Sequence, residues 1–398
     1  MRWGVITFIS VILIIFEVKS HEIKIKKLTD VEQAFVSYLK EHNKTYNDEE
    51  YKRRFENFKV KNEVKSEVKI KKLTKVEQKF VSYLKEHNKT YNDEEYKRRF
   101  ENFKVSLYEI VKMNQLEENA VFGLTKFSDM SKEEFVERML LKSYNATTCQ
   151  TRQRDCWCDE TENNTVSNIT RGDNISSSFD WRNLGVVKPV LNQKLCQGCW
   201  AFSIVGVLES MLAIQFKDYK SRSIEELIDC SEPNHGCYNG NVALAMDFIC
   251  DEKLQFVTEE EYPLTLSIDK KCKLPTTGYR GRRVRKFQHK CNMNENDMVK
   301  LIATHGPLVV AVDASNWNNY IGGVISRACN GGVANHVVQI VGYEGYRNPP
   351  ETTDKPYYIV RNSWGQDWGE GGYVKIAMHE NVCGIAEQVT ALEALEDI

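Results

Sequence analysis

The chain has 398 residues, 54 Lys+Arg against 56 Asp+Glu for a formal net charge of −2, 41% hydrophobic residues and 12 Cys. A single core rarely grows past about 250 to 300 residues, so this length calls for more than one structural unit. Apolar and aromatic content of this order excludes a disordered chain, and the near-neutral balance gives no basic footprint for a nucleic-acid backbone.

Arg2 precedes an uncharged run from Trp3 to Phe16, closed by Glu17, Lys19 and the small Ser20. The run is shorter than the roughly 20 residues of a bilayer span and has the build of a secretory signal over residues 1–20; a short N-terminal anchor is the alternative. Secretory entry permits disulfides and gives meaning to N-x-S/T sequons. These stand at Asn43, Asn88, Asn145, Asn163, Asn168 and Asn174.

Residues 21–148 read as a charged, helical front. Within it Glu22–Val60 and Glu67–Val105 are near duplicates, differing only at Ile23/Val68, Asp30/Lys75 and Ala34/Lys79. Two near-identical copies are too few for a solenoid and point to a tandem duplication or a product of gene assembly. Only the second copy continues into a full helical stripe, Glu95, Arg99, Phe103, Ser106, Ile110 and Asn114, within about 100° of one face. In the first copy Glu50, Arg54 and Phe58 are followed by Lys61 and Lys65, which break it. Phe122–Asp129 alternates like a short strand, and Ser131 with Glu134 three residues on reads as a capping box opening a helix. Residues 149–178, rich in sequons, read as an exposed processing linker, with Asn145, Asn163, Asn168 and Asn174 as glycosylation sites.

A second unit begins near Phe179. There Asn192–Ser203 passes from a turn into an apolar helix continuing through Val205, Leu208, Met211 and Leu212, which puts Cys199 at a helix N-terminus. The macrodipole and free amides at such a position favour a thiolate, the form in which cysteine is a nucleophile. A buried or bridged cysteine is the plainer alternative for Cys199 alone. Further on, His336 heads the run HVVQIVG and Asn362 ends the run YYIVRN.

CQGCWAFS, ANHVVQIVGY and YYIVRNSWGQDWGEGGY together resemble the papain-like cysteine protease family, whose mark is such a Cys followed by a distant His and Asn. The likeness covers Phe179 to the C-terminal region, and the upstream stripe resembles the family's inhibitory propeptide, with Ser106 and Thr125 where Asn is usual and Gln197 where Gly is usual. The resemblance implies an α+β, papain-like two-lobed fold over 179–398, one lobe helical around Cys199 and one a β-barrel around His336, with an N-terminal helical propeptide. It implies catalysis by Cys199, His336 and Asn362 with Gln193 in the oxyanion hole. It places substrate contacts at Gly240, Asn239, Ala334, Asn335, Trp364 and Gln388, the last expected to make a pocket tolerant of polar side chains. It also pairs Cys196 with Cys237, Cys230 with Cys272 and Cys329 with Cys383. Cys149, Cys156, Cys158, Cys250 and Cys291 remain unassigned, one linker cysteine bridging to Cys291 being an option.

The resulting expectation is a secretory-pathway zymogen of a lysosomal or extracellular cysteine endopeptidase. It would act on peptide and protein substrates as a monomer with no cofactor or metal and no membrane in the mature form. Its own propeptide and cystatin-type proteins would be its inhibitors. The rival is a binding protein, either a catalytically silent homologue or a propeptide-type protease inhibitor.

Overall fold

The computed structural model describes residues 37, 49–50, 52–54, 74–142, 152–155, 175–267, 271–273, 282–329, 333–347 and 355–396, and among them the charged front carries the helices Lys75–Glu86, Asp93–Leu116 and Lys132–Met139. Residues 1–20, expected to be a signal, most of the first repeat copy, the sequons Asn145, Asn163, Asn168 and Asn174, and Cys149, Cys156 and Cys158 lie outside the described residues. The chain divides into two compact units at Gln78 and Lys79. In the first, the Glu50 carboxylate accepts from Arg53 and from Arg54, each at 2.8 Å.

Helix α1 (Lys75–Glu86) opens on a capping box, Thr74 Oγ1 accepting from Glu77 N–H at 3.2 Å while the Glu77 carboxylate takes Thr74 N–H at 2.6 Å. Helix α2 (Asp93–Leu116) is capped by Asn92 and carries the predicted stripe, with Arg99, Phe103 and Ser106 buried. Phe80 of α1 meets Tyr96, Phe100 and Phe103 of α2 at ring separations of 5.0 to 5.3 Å. The Glu95–Arg99 pair forms at 2.6 Å, and Arg99 also reaches the buried Glu134 at 2.7 Å. Helix α3 (Lys132–Met139) starts where expected, Ser131 accepting from Glu134 N–H, but the Glu134 side chain turns to Arg98 and Arg99 instead of closing the box.

The strand expected over Phe122–Asp129 is displaced: β1 is Ala120–Phe122, and the chain then turns. Alternation persists because polar side chains find partners in the turn. Thr125 Oγ1 donates to Asn318 O at 2.5 Å, Ser128 Oγ to Asn319 Oδ1 at 2.6 Å, and buried Asp129 accepts from Tyr83, Lys89 and Tyr91.

Beyond it, β2 (Arg152–Asp155) and β3 (Phe179–Asp180) precede α4 (Cys199–Phe216), α5 (Ile224–Cys230) and α6 (Val242–Asp251). Helix α4 is apolar on all sides and long enough to pass for a membrane span, yet it is the buried core of the helical lobe. Side chains cap its neighbours, Ser223 accepting from Glu226 N–H and Asn241 from Leu244 N–H. The remaining elements are β4 (Arg283–Cys291), α7 (Glu295–Thr304), β5 (Leu308–Val312), β6 (Tyr320–Ile325), β7 (His336–Glu344), β8 (Tyr357–Arg361), β9 (Tyr373–Ala377) and β10 (Gln388–Glu396).

Among the described residues the strands form one sheet in the order β1-β6-β9-β8-β7-β5-β10-β4-β2, with β3 on β7 and only β6–β9 parallel. β5 is buried throughout and β7 nearly so, as expected of strands covered on both faces. One core fills around Trp317, Trp364, Trp368 and Tyr358, and a second gathers α4, α5 and α6 with Val309, Ala311 and Val337. The fold is thus the expected mix of a helical lobe and a sheet lobe. Cys196–Cys237, Cys230–Cys272 and Cys329–Cys383 are bridged as the resemblance implied. Cys250 and Cys291 are disulfide-bonded too.

Candidate active site

β7 begins at His336 and β8 ends at Arg361, and their antiparallel register sets Gln339 opposite Arg361. The head of one strand therefore lies beside the tail of the next, which brings Asn362 to His336. Asn362 Oδ1 lies 2.8 Å from His336 Nε2 and also takes Ser363 N–H at 2.7 Å. An oxygen already accepting from a backbone amide can only accept from the ring, so Nε2 carries the proton and Nδ1 is the bare nitrogen. Nδ1 makes no hydrogen bond. The Trp364 ring stacks on His336 with centroids 4.7 Å apart, and Trp317 stands edge-on at 6.3 Å. These walls exclude water, and burial pulls the imidazole down to about 4 against the smaller upward pull of Asn362.

Cys199 is the first residue of α4, behind Gly198 at the N-cap. Ser203 Oγ donates to Val337 O at 3.0 Å, fixing the helix against β7 next to His336. Sequence position favoured a thiolate here. The structure corrects this for the closed chain: full burial pushes the thiol up to about 12, and contacts with the main chain of Val337, Trp200 and Cys199 offset only part of the shift. A helix terminus contributes at most about 2 kcal/mol, less than desolvation removes.

The front of the chain adds to this burial. Gln193 Nε2 donates to Cys196 O at 2.9 Å and faces Met139 O at 3.4 Å, while Ser363 Oγ donates to Gln193 Oε1 at 2.5 Å. Two residues on, Leu141 N–H donates to Asn335 O at 2.7 Å, and the Leu141 side chain joins the apolar cluster of Cys199, Ala334 and Val337. Gln197 Nε2 donates to Glu137 O at 2.5 Å. Residues 137–141 thus lie across Cys199, Gln193 and Asn335, anchored upstream where β1 pairs with β6 and Glu117 accepts from the amides of Ser326, Arg327 and Ala328. Gly323 has φ +76°, and a Cβ there would collide with the Asn119 carbonyl, so glycine is what lets β1 dock.

Among the expected substrate contacts, Ala334, Asn335 and Trp364 surround this centre. Gly240 passes so close to Trp200 Nε1 that a Cβ would sit 2.3 Å away. Gln388 lies at the start of β10, opposite Cys291 in β4, and is buried with no hydrogen bond to Nε2. Sequence reasoning missed Ser363, whose only signal is its place between Asn362 and Trp364. It also missed Met139 and Leu141, which read as ordinary helix-end hydrophobics.

Residues 175–392 match the papain family cysteine protease and residues 80–135 the cathepsin propeptide inhibitor domain (I29). The chain belongs to the papain family of cysteine proteases. Cathepsin O of Mus musculus and of Homo sapiens are each 40% identical to it over 215 residues, 54% of this chain and 67% and 65% of theirs. The match thus spans about two thirds of those relatives. Among solved structures, recombinant stem bromelain precursor superposes with a TM-score of 0.64 at 28% identity, covering 81% of this chain and all of that one. The papain-family match includes Gln193, Cys199, His336 and Asn362, and the inhibitor-domain match ends within α3.

Proposed function

We propose that this chain is the zymogen of a cysteine endopeptidase, with residues 1–20 as signal, 21–148 as propeptide, 149–178 as a glycosylated processing linker and 179–398 as the peptidase. One observation carries the reading: Gln193 Nε2 and the Asn335 carbonyl, groups suited to holding a peptide, are taken by Met139 O and Leu141 N–H of the chain's own front. A segment that sits on those groups while the thiol and imidazole are buried neutral accounts for latency.

Once the front is displaced, Nδ1 of His336 would accept the Cys199 proton and the thiolate would attack the substrate carbonyl. Gln193 Nε2 and the Cys199 amide would hold the oxyanion that forms. The imidazolium would then protonate the leaving amine, and a water deprotonated by the same ring would release the acyl-enzyme. Asn362 fixes the ring orientation and Trp364 keeps water from that hydrogen bond. Gly240 would pair its main chain with an extended substrate, a mode that reads little sequence, and side-chain selection would fall to Asn239, Ala334, Asn335 and Gln388. The sequence lacks the paired-histidine loop that limits some relatives to chain ends, which favours endopeptidase cleavage. Lysosomal or extracellular protein degradation, a monomeric state and sensitivity to cystatin-type inhibitors belong to the same reading.

The test is acid processing of the secreted chain, with active sites titrated by a thiol-directed epoxide. Stoichiometric labelling at Cys199 that tracks peptidase activity supports the reading. Full propeptide removal with no activity would leave a silent homologue.

A further inference from the structure

Lys126, in the turn after β1, reaches off the front and onto the peptidase. Its ammonium donates to the main-chain carbonyl of Trp364 and, at 2.7 Å, to Asp367 Oδ1. The Lys126 side chain is 16% exposed there and that of Asp367 63%, and no other ion pair to Asp367 forms among the described residues. Gly365, between the two acceptors, leaves the approach open, since a Cβ on it would sit 2.7 Å from Asp367 Oδ1 and 3.2 Å from the ammonium. Phe127 and Phe135 of the same front meet the Trp364 ring edge-on at 5.5 and 5.4 Å. Both acceptors and the indole belong to the peptidase, whereas the cation and the two phenyl rings belong to the front that covers it.

The chemistry fixes which side of the scissile bond this place serves. His336 would protonate the leaving amine, so the substrate residues that follow that amine must run out past the imidazole. The ring they meet there is Trp364, stacked on His336 with centroids 4.7 Å apart, and Asp367 follows three residues later in the turn.

We propose that Asp367 and the Trp364 carbonyl form a subsite for a lysine or arginine on the leaving side of the scissile bond, its aliphatic stem lying along the Trp364 edge that Phe127 and Phe135 vacate. Lys126 displays the ligand chemistry, an ammonium held by one charged and one neutral acceptor. A substrate glutamate at the same place would meet a carboxylate and be repelled. Half-exposed ion pairs select modestly, so the preference is graded rather than absolute. The proposal rests on the zymogen reading and adds a substrate class to it.

The test takes the secreted full chain, processed in acid and titrated with a thiol-directed epoxide, to quenched fluorogenic peptides. These share one acyl side and vary one leaving-side position at a time among Lys, Arg, Met and Glu. At one position kcat/KM for the Lys and Arg peptides should exceed that for the Met peptide by about 3- to 10-fold, with Glu lowest, and high salt should narrow the gap. Asp367→Asn should bring the Lys-to-Met ratio to about one, and Asp367→Lys should put the Glu peptide first. A parent enzyme without basic preference on that side, or variants that keep the parent's ratio even while losing activity on both peptides, overturn the proposal and leave the zymogen reading in place. A processed chain that cleaves none of the peptides and takes no epoxide sinks that reading and the proposal with it.

Discussion

Gln193 directs its side-chain N–H at the carbonyl oxygen of Met139, 3.4 Å away, while Ser363 Oγ holds the other end of the same amide at 2.5 Å. The donor is therefore preset and occupied. Gln193→Ala should lower kcat of the processed enzyme by roughly 10²- to 10³-fold with little change in KM, because the oxyanion exists only in the transition state. Ser363→Ala should cost about 5- to 10-fold, the loss of one orienting hydrogen bond of about 1 kcal/mol. Steady-state kinetics on titrated enzyme decides both, and an unchanged kcat in Gln193→Ala removes that residue from the role.

The buried pair makes latency pH-dependent. At neutral pH both the Cys199 thiol, held up to about 12, and His336, held down to about 4, are uncharged while the front is docked. An open state in which Cys199 keeps its own proton binds a second one at His336 from about pH 6.5 downward, which the closed state does not bind until about pH 4, whereas an open thiolate–imidazolium pair holds the same single proton as the closed pair. Acidification through that window therefore favours opening to the doubly protonated state, by about 3 kcal/mol at its lower end. Glu95 is a poor trigger by comparison, since Arg98 and Arg99 hold its carboxylate at about 2, below lysosomal acidity. Nuclear magnetic resonance of ring-labelled Cys199→Ala proenzyme should show His336 titrating near 4. Titration near 6.5 would refute the mechanism.

Glu117 is the second lever on the front. Its buried carboxylate accepts from Ser326 N–H and Oγ at 3.1 and 2.9 Å, from Arg327 N–H at 2.6 Å and from Ala328 N–H. Glu117→Gln keeps the shape but replaces charged acceptors with one neutral oxygen and two donors facing amides. Hydrogen bonds to charge contribute about 1.5 to 3 kcal/mol, so propeptide affinity should fall by roughly 10- to 100-fold. Autoprocessing should begin at a higher pH than in the parent chain; an unshifted onset would mean that Glu117 does not hold the front down.

Much of this was legible before folding. Cys199, His336 and Asn362 were marked by local signals, a helix start and two strand ends, that depend only on neighbouring residues. The Glu95–Asn114 stripe held because helical periodicity is local as well. The strand expected at Phe122–Asp129 was misplaced because its alternation comes from contacts with Asn318 and Asn319, almost 200 residues away. For the same reason the thiol's state was misread: helix position is visible in sequence, whereas desolvation by Leu141 and its neighbours is not.

Gln388 tests whether a buried amide is retained for selectivity. It is 3% exposed and its Nε2 has no hydrogen-bond partner, an arrangement that costs about 1 to 3 kcal/mol. Gln388→Leu, close in volume, should remove that cost and raise Tm of the processed enzyme by about 2 to 12 °C. If the amide faces the substrate's side-chain pocket, as proposed, the same change should move a peptide-library profile from polar-tolerant toward large aliphatic residues. A stabilised variant with an unaltered profile would place Gln388 in the core behind the pocket and leave side-chain selection to Asn239, Ala334 and Asn335.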